Sequence, residues 1–392
     1  MSSIRSWKLG PALAVLWLAC GPTAPPPLPE TIAASSPPPE EFSPERAWSH
    51  LTALAAIGPR RPGTAGSKRA REYLRGELSE QGLSVEEQRA RSEHGEERVE
   101  TVNVVARIPG DSEDVILLIA PYESPPGDAQ GVGVDAGASG AALLLELGRA
   151  LGVRRPAYTI WIAFVDGDAL AASGAASRSE VGTGALLGAL ASQGGTDRIR
   201  LAVYFDRVSR PELRIARDLM SFRSAREAFW VEARRLGQVA VFPPNAPFET
   251  VDEGHRALLD AGMRRTLAIS GSRVAGDGGT SDEAASAPPD DLEHSSRESL
   301  ASVGHVSLEA LSAIAGRLAK IDRFVKSPIQ AAGEERRAPA PEAAPAPPDA
   351  GEPPAPEAAA PMAPEAAPPR EETGAAPTSG GASVETQVDG AR

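Results

Sequence analysis

Three uninterrupted apolar runs mark the centre of this chain. They are "VILLIA" at 115–120, "TIWIAFV" at 159–165 and "LAVYF" at 201–205. Apolar runs of this length, bounded by polar turns, are typical of strands that are buried on both faces of a sheet. "TVNVVARI" at 101–108 predicts another strand, and "TLAIS" at 266–270 predicts a weaker one.

Segments with helical spacing lie between and around these strands. Apolar residues recur three or four apart in "SPERAWSHLTALAAIG", "SKRAREYLRGELSEQG", "SGAALLLELGRALG" and "SLEALSAIAGRLAKIDRFV". The first of these begins with Ser43 as a cap and Pro44 at the first helical position. Strands that alternate with helices predict an α/β fold, with a mostly parallel central sheet and helices on both faces.

The composition changes near both ends of the chain. Residues 21–41 form a proline-rich linker, and residues 326–392 are rich in proline, alanine and glutamate, with almost no aromatic or β-branched residues. Such segments cannot bury a core, so we expect the tail to be disordered and a single folded domain to span 42–325. The net charge of −13 argues against a nucleic-acid partner, which would need a basic surface.

The first twenty residues have the pattern of a secretory signal. Arg5 and Lys8 precede the apolar segment "LGPALAVLWLA", and Cys20 follows Ala19 directly. Cys20 is the only cysteine, and its position resembles that of the lipidated cysteine of a bacterial lipoprotein. We therefore expect a lipid anchor at Cys20 and a location in the bacterial cell envelope, on the outer membrane or facing the periplasm. The alternative is a plain signal peptide with an incidental cysteine.

Acidic residues follow each of the three central strands. The strand ends read "APYES" at 120–124, "VDGDA" at 165–169 and "FDRVS" at 205–209. In open parallel sheets, ligands bind beyond the carboxyl ends of the strands, so these acids are candidates for a site. The simpler interpretation is that they are polar turn residues or acids paired with a nearby arginine.

Six segments, taken in order, resemble the zinc-dependent exopeptidases of the bacterial leucyl-aminopeptidase type and their relatives, the glutaminyl-peptide cyclotransferases. They are "GPRRPGTAGSKRAREYL", "NVVARIPG" with "VILLIAPYES", "GVDAGASGAALLLELGRAL", "TIWIAFVDGDA", "LAVYFDRVS" and "LEHSSRESLASVGHVSLEAL". The resemblance covers most of the folded region and implies the same α/β fold. It also implies a zinc site, which has to be compared residue by residue.

Most metal ligands that the resemblance implies are replaced in this chain. An early histidine would fall at Pro121, the aspartate that bridges two zinc ions at Ala136, and a ligand glutamate at Ala169. A later aspartate and a late histidine are kept as Asp206 and His294. Each of the two zinc sites thus retains one ligand, whereas a catalytic zinc normally has three protein ligands and an open position for water.

Two residues near the lost positions could still act. The general-base glutamate of the family falls at Asp168. Because aspartate is shorter than glutamate, its carboxylate would lie about 1 Å farther from a metal-bound water, and a displacement of this size lowers the rate of catalysis strongly. Asp135 is next to the missing bridging ligand. A shifted loop would then give Asp135, Asp206 and His294 as a rearranged metal site, with Asp168 as the catalytic acid–base group.

Two classes of function follow. The first is a pseudoenzyme that has no cofactor and binds peptide or protein N-termini at the membrane. The second is an active zinc aminopeptidase or glutaminyl-peptide cyclotransferase with the rearranged site. The count of surviving ligands favours the first. The sequence leaves the oligomeric state open.

The lipid anchor gives a direct prediction. Replacing Cys20 with serine removes the thiol that a lipid would be attached to, and the proline-rich linker has no apolar run long enough to span a membrane. We expect the Cys20→Ser chain to move from the membrane fraction to the soluble fraction when cells are fractionated. Membrane association that is unchanged in this variant would rule out lipidation at Cys20.

Overall fold

The computed structural model describes residues 38, 40–94, 97–126, 131–251, 254–271 and 289–335. Cys20, the signal segment and most of the linker lie outside the described residues, as does the chain from 336 onward. The chain divides into one unit that ends at Gly333 and a second from Glu334 to Arg392, of which residues 334 and 335 are described. The architecture below is that of the first unit.

Six strands form the central sheet, in the order β1-β2-β4-β3-β5-β8. Strands β4, β3, β5 and β8 are parallel, and β1 and β2 form an antiparallel hairpin that pairs with β4 at one side. The three apolar runs are therefore neighbouring strands, and the prediction of a mostly parallel sheet is confirmed. The bounds of these strands are β1 Ser84–His94, β2 Glu97–Ile108, β3 Ser112–Pro121, β4 Tyr158–Val165, β5 Ile199–Asp206 and β8 Thr266–Ser270, and a separate pair consists of β6 Arg217–Asp218 and β7 Phe248–Glu249.

Helices cover both faces of the sheet. They are α1 Pro44–Ala56, α2 Ala65–Glu80, α3 Gly140–Arg154, α4 Asp168–Ala172, α5 Gly182–Ser192, α6 Arg223–Arg235, α7 Gly254–Asp260 and α8 Arg297–Glu335, with a π-helical turn at Val134–Ser139 and a 3₁₀ turn at Thr196–Arg198. Ser43 caps α1 as predicted, because its hydroxyl accepts a hydrogen bond from the Arg46 amide.

The alternation of side chains along each strand builds two cores. On β3, Ile116 and Leu118 pack with residues of α1, α2, α3, α6 and α8, whereas Val115 and Leu117 pack with residues of α5 and α7. Successive side chains of a strand point to opposite faces, so an uninterrupted apolar run supplies both cores at once. Each fully buried aliphatic side chain contributes about 1.5–3 kcal/mol of hydrophobic stabilisation.

Several elements were not predicted from the sequence. Strand β1 reads "SVEEQRARSEH", with charges throughout, because it is an edge strand that pairs with β2 on one side only. At the other end, α8 continues to Glu335, past residue 325, where the sequence predicts the domain to end. The stretch Val134–Arg154 is long and apolar enough to span a membrane, but its residues are mostly buried inside this fold, where α3 packs against the sheet.

A buried arginine joins the segments around the carboxyl end of the sheet. The Arg60 guanidinium is fully buried and donates to the carbonyl oxygens of Tyr122 at 2.8 Å, Gly133 at 2.7 Å, Gly58 at 3.0 Å and Leu54 at 3.2 Å. Burial lowers the pKa of Arg60 to about 10, so the group stays charged at neutral pH. One side chain thereby fixes the end of α1, the residue after β3 and the loop that leads to α3.

Replacing Arg60 with methionine should destabilise the fold severely. The change would leave several buried carbonyl oxygens without their donor, and each such group costs about 1–3 kcal/mol. We expect the free energy of unfolding, measured with urea, to fall by about 3 kcal/mol or more. The matched control is Arg69→Met, because Arg69 also donates to a carbonyl oxygen, that of Ile57, but is exposed. Equal losses for the two variants would contradict the role given to Arg60.

Candidate functional site

A pocket of about 460 Å³ opens where β3, β4 and β5 end. This is the edge of a parallel sheet at which α/β proteins bind their ligands. The pocket wall combines prolines and small residues with three acids, one arginine and one tyrosine. Its lining residues are Pro121, Glu123, Pro125, Pro126, Ala136, Gly137, Asp168, Ala169, Ala172, Ser173, Tyr204, Asp206 and Arg207.

The positions at which the family resemblance implies zinc ligands lie around this one pocket. Pro121, Ala136 and Ala169 all line it, together with Asp206. They come from the end of β3, the π-helical turn, the start of α4 and the end of β5. Residues far apart in sequence thus meet at one place, but three of the four have no side-chain atom that could coordinate a metal.

The carboxylate of Asp206 contacts a backbone amide and a guanidinium. Its side chain is buried, and Oδ1 accepts a hydrogen bond from the Gly137 amide at 3.3 Å. Oδ2 lies 3.5 Å from Nε of Arg207, the next residue in the chain. A guanidinium therefore compensates the charge of this carboxylate within the pocket wall.

Asp135 is held in a different set of contacts. Oδ1 accepts hydrogen bonds from the amide of Ser209 at 2.8 Å and from its hydroxyl at 3.0 Å, and Oδ2 lies 2.8 Å from Nε of Arg210. Burial raises the pKa of Asp135, although the Ser209 hydrogen bonds and the nearby arginine oppose this shift. In addition, Asp135 is not among the residues that line the pocket.

His294 lies in the segment before α8. Its Nδ1 is 2.7 Å from Oδ1 of Asp291, and about two-fifths of its side chain is exposed. The neighbouring residue Asp290 accepts hydrogen bonds from the amides of Asp135 and Ala136, and so fixes the tip of the turn. Hydrogen bonding to His294 lowers the pKa of Asp291.

The three residues of the rearranged metal site are thus in three separate sets of contacts. Within the part of the chain that the structure describes, no group of three or more His, Cys, Asp or Glu side chains is arranged to hold a metal ion. Asp135 and Asp206 each have an arginine beside them, which repels a divalent cation. The residues around the pocket therefore do not fit a catalytic zinc. The assignment of Asp135, Asp206 and His294 as ligands stays a prediction.

Asp168 lies in the pocket wall, but both of its carboxylate oxygens are engaged. Oδ1 accepts a hydrogen bond from the Thr183 amide and Oδ2 accepts one from the Thr183 hydroxyl, each at 2.7 Å. Gly182 and Gly254 pack so closely on this carboxylate that a Cβ atom at either position would overlap it. Asp168 thus joins α4 to α5, and its role as a base also stays a prediction.

Two further acids are buried, namely Glu123 in the pocket lining and Asp166, which precedes Asp168 by two residues. Oε1 of Glu123 accepts a hydrogen bond from the Ala169 amide at 2.9 Å, and Asp166 accepts one from the Val102 amide at 3.2 Å. Among the described residues, Oε2 of Glu123 and Oδ1 of Asp166 have no hydrogen-bond partner. Burial, reinforced by the neighbouring Asp166, holds the pKa of Glu123 well above its usual range, and burial raises the pKa of Asp166 to about 7.

Nothing in the sequence indicated Thr183 and Asp290 as residues of the site, whereas pairing of the strand-end acids with a nearby arginine was already the simpler interpretation. Arg207, Arg210 and Thr183 neutralise or bind the candidate acids, and Asp290 holds the turn at 134–136. Arg207 and Arg210 follow Asp206 by one and four residues and were the visible candidates for this pairing, but Arg210 lies beside Asp135 instead. Thr183 and Asp290 are distant in sequence from the groups they contact.

Comparisons with known proteins agree on the family. The sequence profile of peptidase family M28 matches residues 103–311, more than half of the chain. The solved glutaminyl cyclase of an Acidobacteriales bacterium is similar, with a TM-score of 0.62, 25% identity, and coverage of 76% of this chain and 100% of that one. A Zn-dependent exopeptidase from Parabacteroides distasonis has a TM-score of 0.59, 22% identity, and coverage of 69% and 98%. No curated protein matches the chain significantly in sequence.

The raised pKa of Asp166 predicts a specific pH dependence of stability. In the unfolded chain this carboxyl loses its proton near the ordinary pKa of 3.8, whereas in the folded chain it keeps the proton up to about pH 7. The folded state binds the extra proton between these values, so the contribution of Asp166 to stability falls as the pH rises through this window. As the pH increases through this window, the free energy of unfolding of Asp166→Asn should therefore rise relative to that of the native chain, by at most about 1.4 kcal/mol per pH unit.

The control for this measurement is Asp291→Asn. The pKa of Asp291 is lowered in the folded chain, so its contribution is present above the ordinary pKa and is lost as the pH falls. Relative to the native chain, this variant should therefore lose stability as the pH rises from below 4. Urea unfolding of the native chain and the two variants at several pH values gives the difference in free energy of unfolding for each variant. A difference for Asp166→Asn that does not change with pH would contradict the prediction.

Proposed function

Because the chain belongs to peptidase family M28, we propose that it is a lipid-anchored envelope protein whose M28 domain binds peptide or protein N-termini without catalysing their hydrolysis or cyclisation. One observation carries this proposal. The pocket at the end of the parallel strands is open, while Pro121, Ala136 and Ala169 stand in its wall where the family resemblance implies zinc ligands.

The residues around the pocket support the absence of catalytic turnover. Zinc in such a site would polarise a carbonyl and activate a water molecule. The chain offers no triad of ligands for it among the described residues, and both oxygens of Asp168 accept hydrogen bonds from Thr183. A base in this position would have to give up two hydrogen bonds before it could accept a proton from a water molecule or an amine.

The binding of N-termini is supported by the shape and charge of the pocket. Among the three lining acids, Asp206 is paired with Arg207 and the raised pKa of Glu123 favours its neutral form. The carboxylate of Asp168 is the remaining negative charge, and it favours a cationic group such as the ammonium of a peptide. Pro125, Pro126 and Ala172 supply apolar surface beside the acids, which suits the first side chain of a peptide. The folds of the similar solved structures, named as glutaminyl cyclases and exopeptidases, support a ligand of this class.

The anchoring part of the proposal is supported by the sequence. Cys20 follows an apolar segment of signal type, and residues 21–41 supply a proline-rich spacer. Proline-rich segments are semi-rigid, so such a spacer would hold the domain away from the membrane surface. The pocket would then be accessible to peptides or to the N-termini of neighbouring envelope proteins.

Binding and catalysis can be measured separately on the detergent-purified chain. After dialysis against zinc, we expect much less than one equivalent of bound metal, with no hydrolysis of aminoacyl amides and no cyclisation of N-terminal glutamine. In calorimetric titrations, peptides with free N-termini should bind more tightly than the same peptides after acetylation. Ala172→Trp, which narrows the pocket mouth, should weaken this binding at least tenfold, because the new side chain occupies the space of the ligand.

Gln193→Trp is the matched control, since residue 193 is also exposed but lies outside the pocket lining. This variant should bind as the native chain does. Equal binding of free and acetylated peptides would contradict the recognition of N-termini. Stoichiometric zinc that is lost together with turnover in His294→Ala would instead establish the active enzyme with the rearranged site.

A further inference from the structure

The turn that follows β5 supplies two arginines, and each lies beside one of the acids near the pocket. Arg207 is next to Asp206, with Nε and Oδ2 3.5 Å apart, and Arg210 is next to Asp135, with Nε and Oδ2 2.8 Å apart. Of these four residues, Asp206 and Arg207 line the pocket. Of the two pairs, Asp206–Arg207 is therefore the one that contributes to the charge of the pocket wall.

The backbone places Arg207 on the same side as Asp206. Successive residues of an extended strand point to opposite faces, so the residue after Asp206 would normally point away from the pocket. Arg207 instead has a φ of 53°, in the left-handed region that residues other than glycine rarely adopt. The carbonyl oxygen of Arg207 accepts a hydrogen bond from the Gly271 amide at 3.1 Å, which helps to hold this conformation.

A buried carboxylate at this place needs a positive partner. Asp206 is almost fully buried, and the Gly137 amide, which carries no full positive charge, donates a neutral hydrogen bond to it at 3.3 Å. An uncompensated buried charge is strongly destabilising. In a zinc site the metal would compensate it, and here the guanidinium of Arg207 lies beside the same carboxylate.

We propose that Arg207 takes the electrostatic place of a metal ion at Asp206 and thereby closes this pocket to divalent cations. A cation that approached Asp206 would meet the positive guanidinium beside it, and their repulsion would offset the attraction of the carboxylate. Loss of the coordinating side chains at 121, 136 and 169 is then one barrier to metal binding, and Arg207 is a second, independent one. This inference concerns charge balance and holds whether or not the pocket binds peptides.

The test separates the two barriers. The first variant introduces coordinating side chains with Pro121→His, Ala136→Asp and Ala169→Glu. The second variant carries the same three changes together with Arg207→Met, because methionine is of similar length but has no charge. Zinc affinity is measured by competition with a chelator, and far-UV circular dichroism verifies that each chain is folded. We expect Arg207→Met to tighten zinc binding at least tenfold. Adding Arg210→Met instead should change it less than threefold, because Arg210 is outside the pocket lining.

A second measurement applies to the native background and decides the question if the restored chains do not fold. Arg207→Met alone leaves the buried Asp206 carboxylate without its guanidinium, whereas Asp206→Asn with Arg207→Met removes both charges. We expect the double variant to have a higher urea midpoint than Arg207→Met alone. Equal zinc affinities with and without Arg207, or strictly additive shifts of the urea midpoint, would overturn the proposal.

Discussion

The fold around the pocket depends on the buried guanidinium of Arg60. Its donors reach carbonyl oxygens of the α1 end, of Tyr122 after β3 and of Gly133 before the π-helical turn. These are the segments that carry Pro121, Glu123 and Ala136 to the pocket wall. A rigid cation with several donors can join irregular loops that have no regular backbone pairing of their own. The hydrogen bonds of Arg60 thus hold the segments that form the pocket wall in place.

Groups of the protein also satisfy buried polar atoms around the pocket, where they compensate the charge of the buried acids or bind them. Asp206 has Arg207 beside it, Asp135 has Arg210 and Ser209, and Asp168 binds Thr183. Glu123 and Asp166 are balanced in another way, because burial raises their pKa values and favours the protonated carboxyl. Around this pocket, cations, hydroxyl groups and bound protons thus balance the buried acids.

The M28 architecture around this pocket rests on packing and on backbone hydrogen bonds. The parallel strands, the turn at 134–139 and the start of α4 still converge on one pocket. Their positions are determined by the two apolar cores and by backbone hydrogen bonds, and neither requires a metal. A pocket of this kind is available for ligand binding.

The sequence by itself determined the fold class, because uninterrupted apolar runs such as 159–165 can be buried only between two layers of helices. The order of its local motifs also carries the family resemblance, and the zinc-ligand positions 121, 136 and 169 that this resemblance implies stay a prediction. The polar edge strand β1 and the short helices were not predictable, because their stability comes from pairing and packing with distant segments. Tertiary structure alone decided which acids are neutralised and by which partners. Thr183 reaches Asp168 across a loop, and Arg207 reaches the pocket through a left-handed backbone angle that no residue pattern specifies.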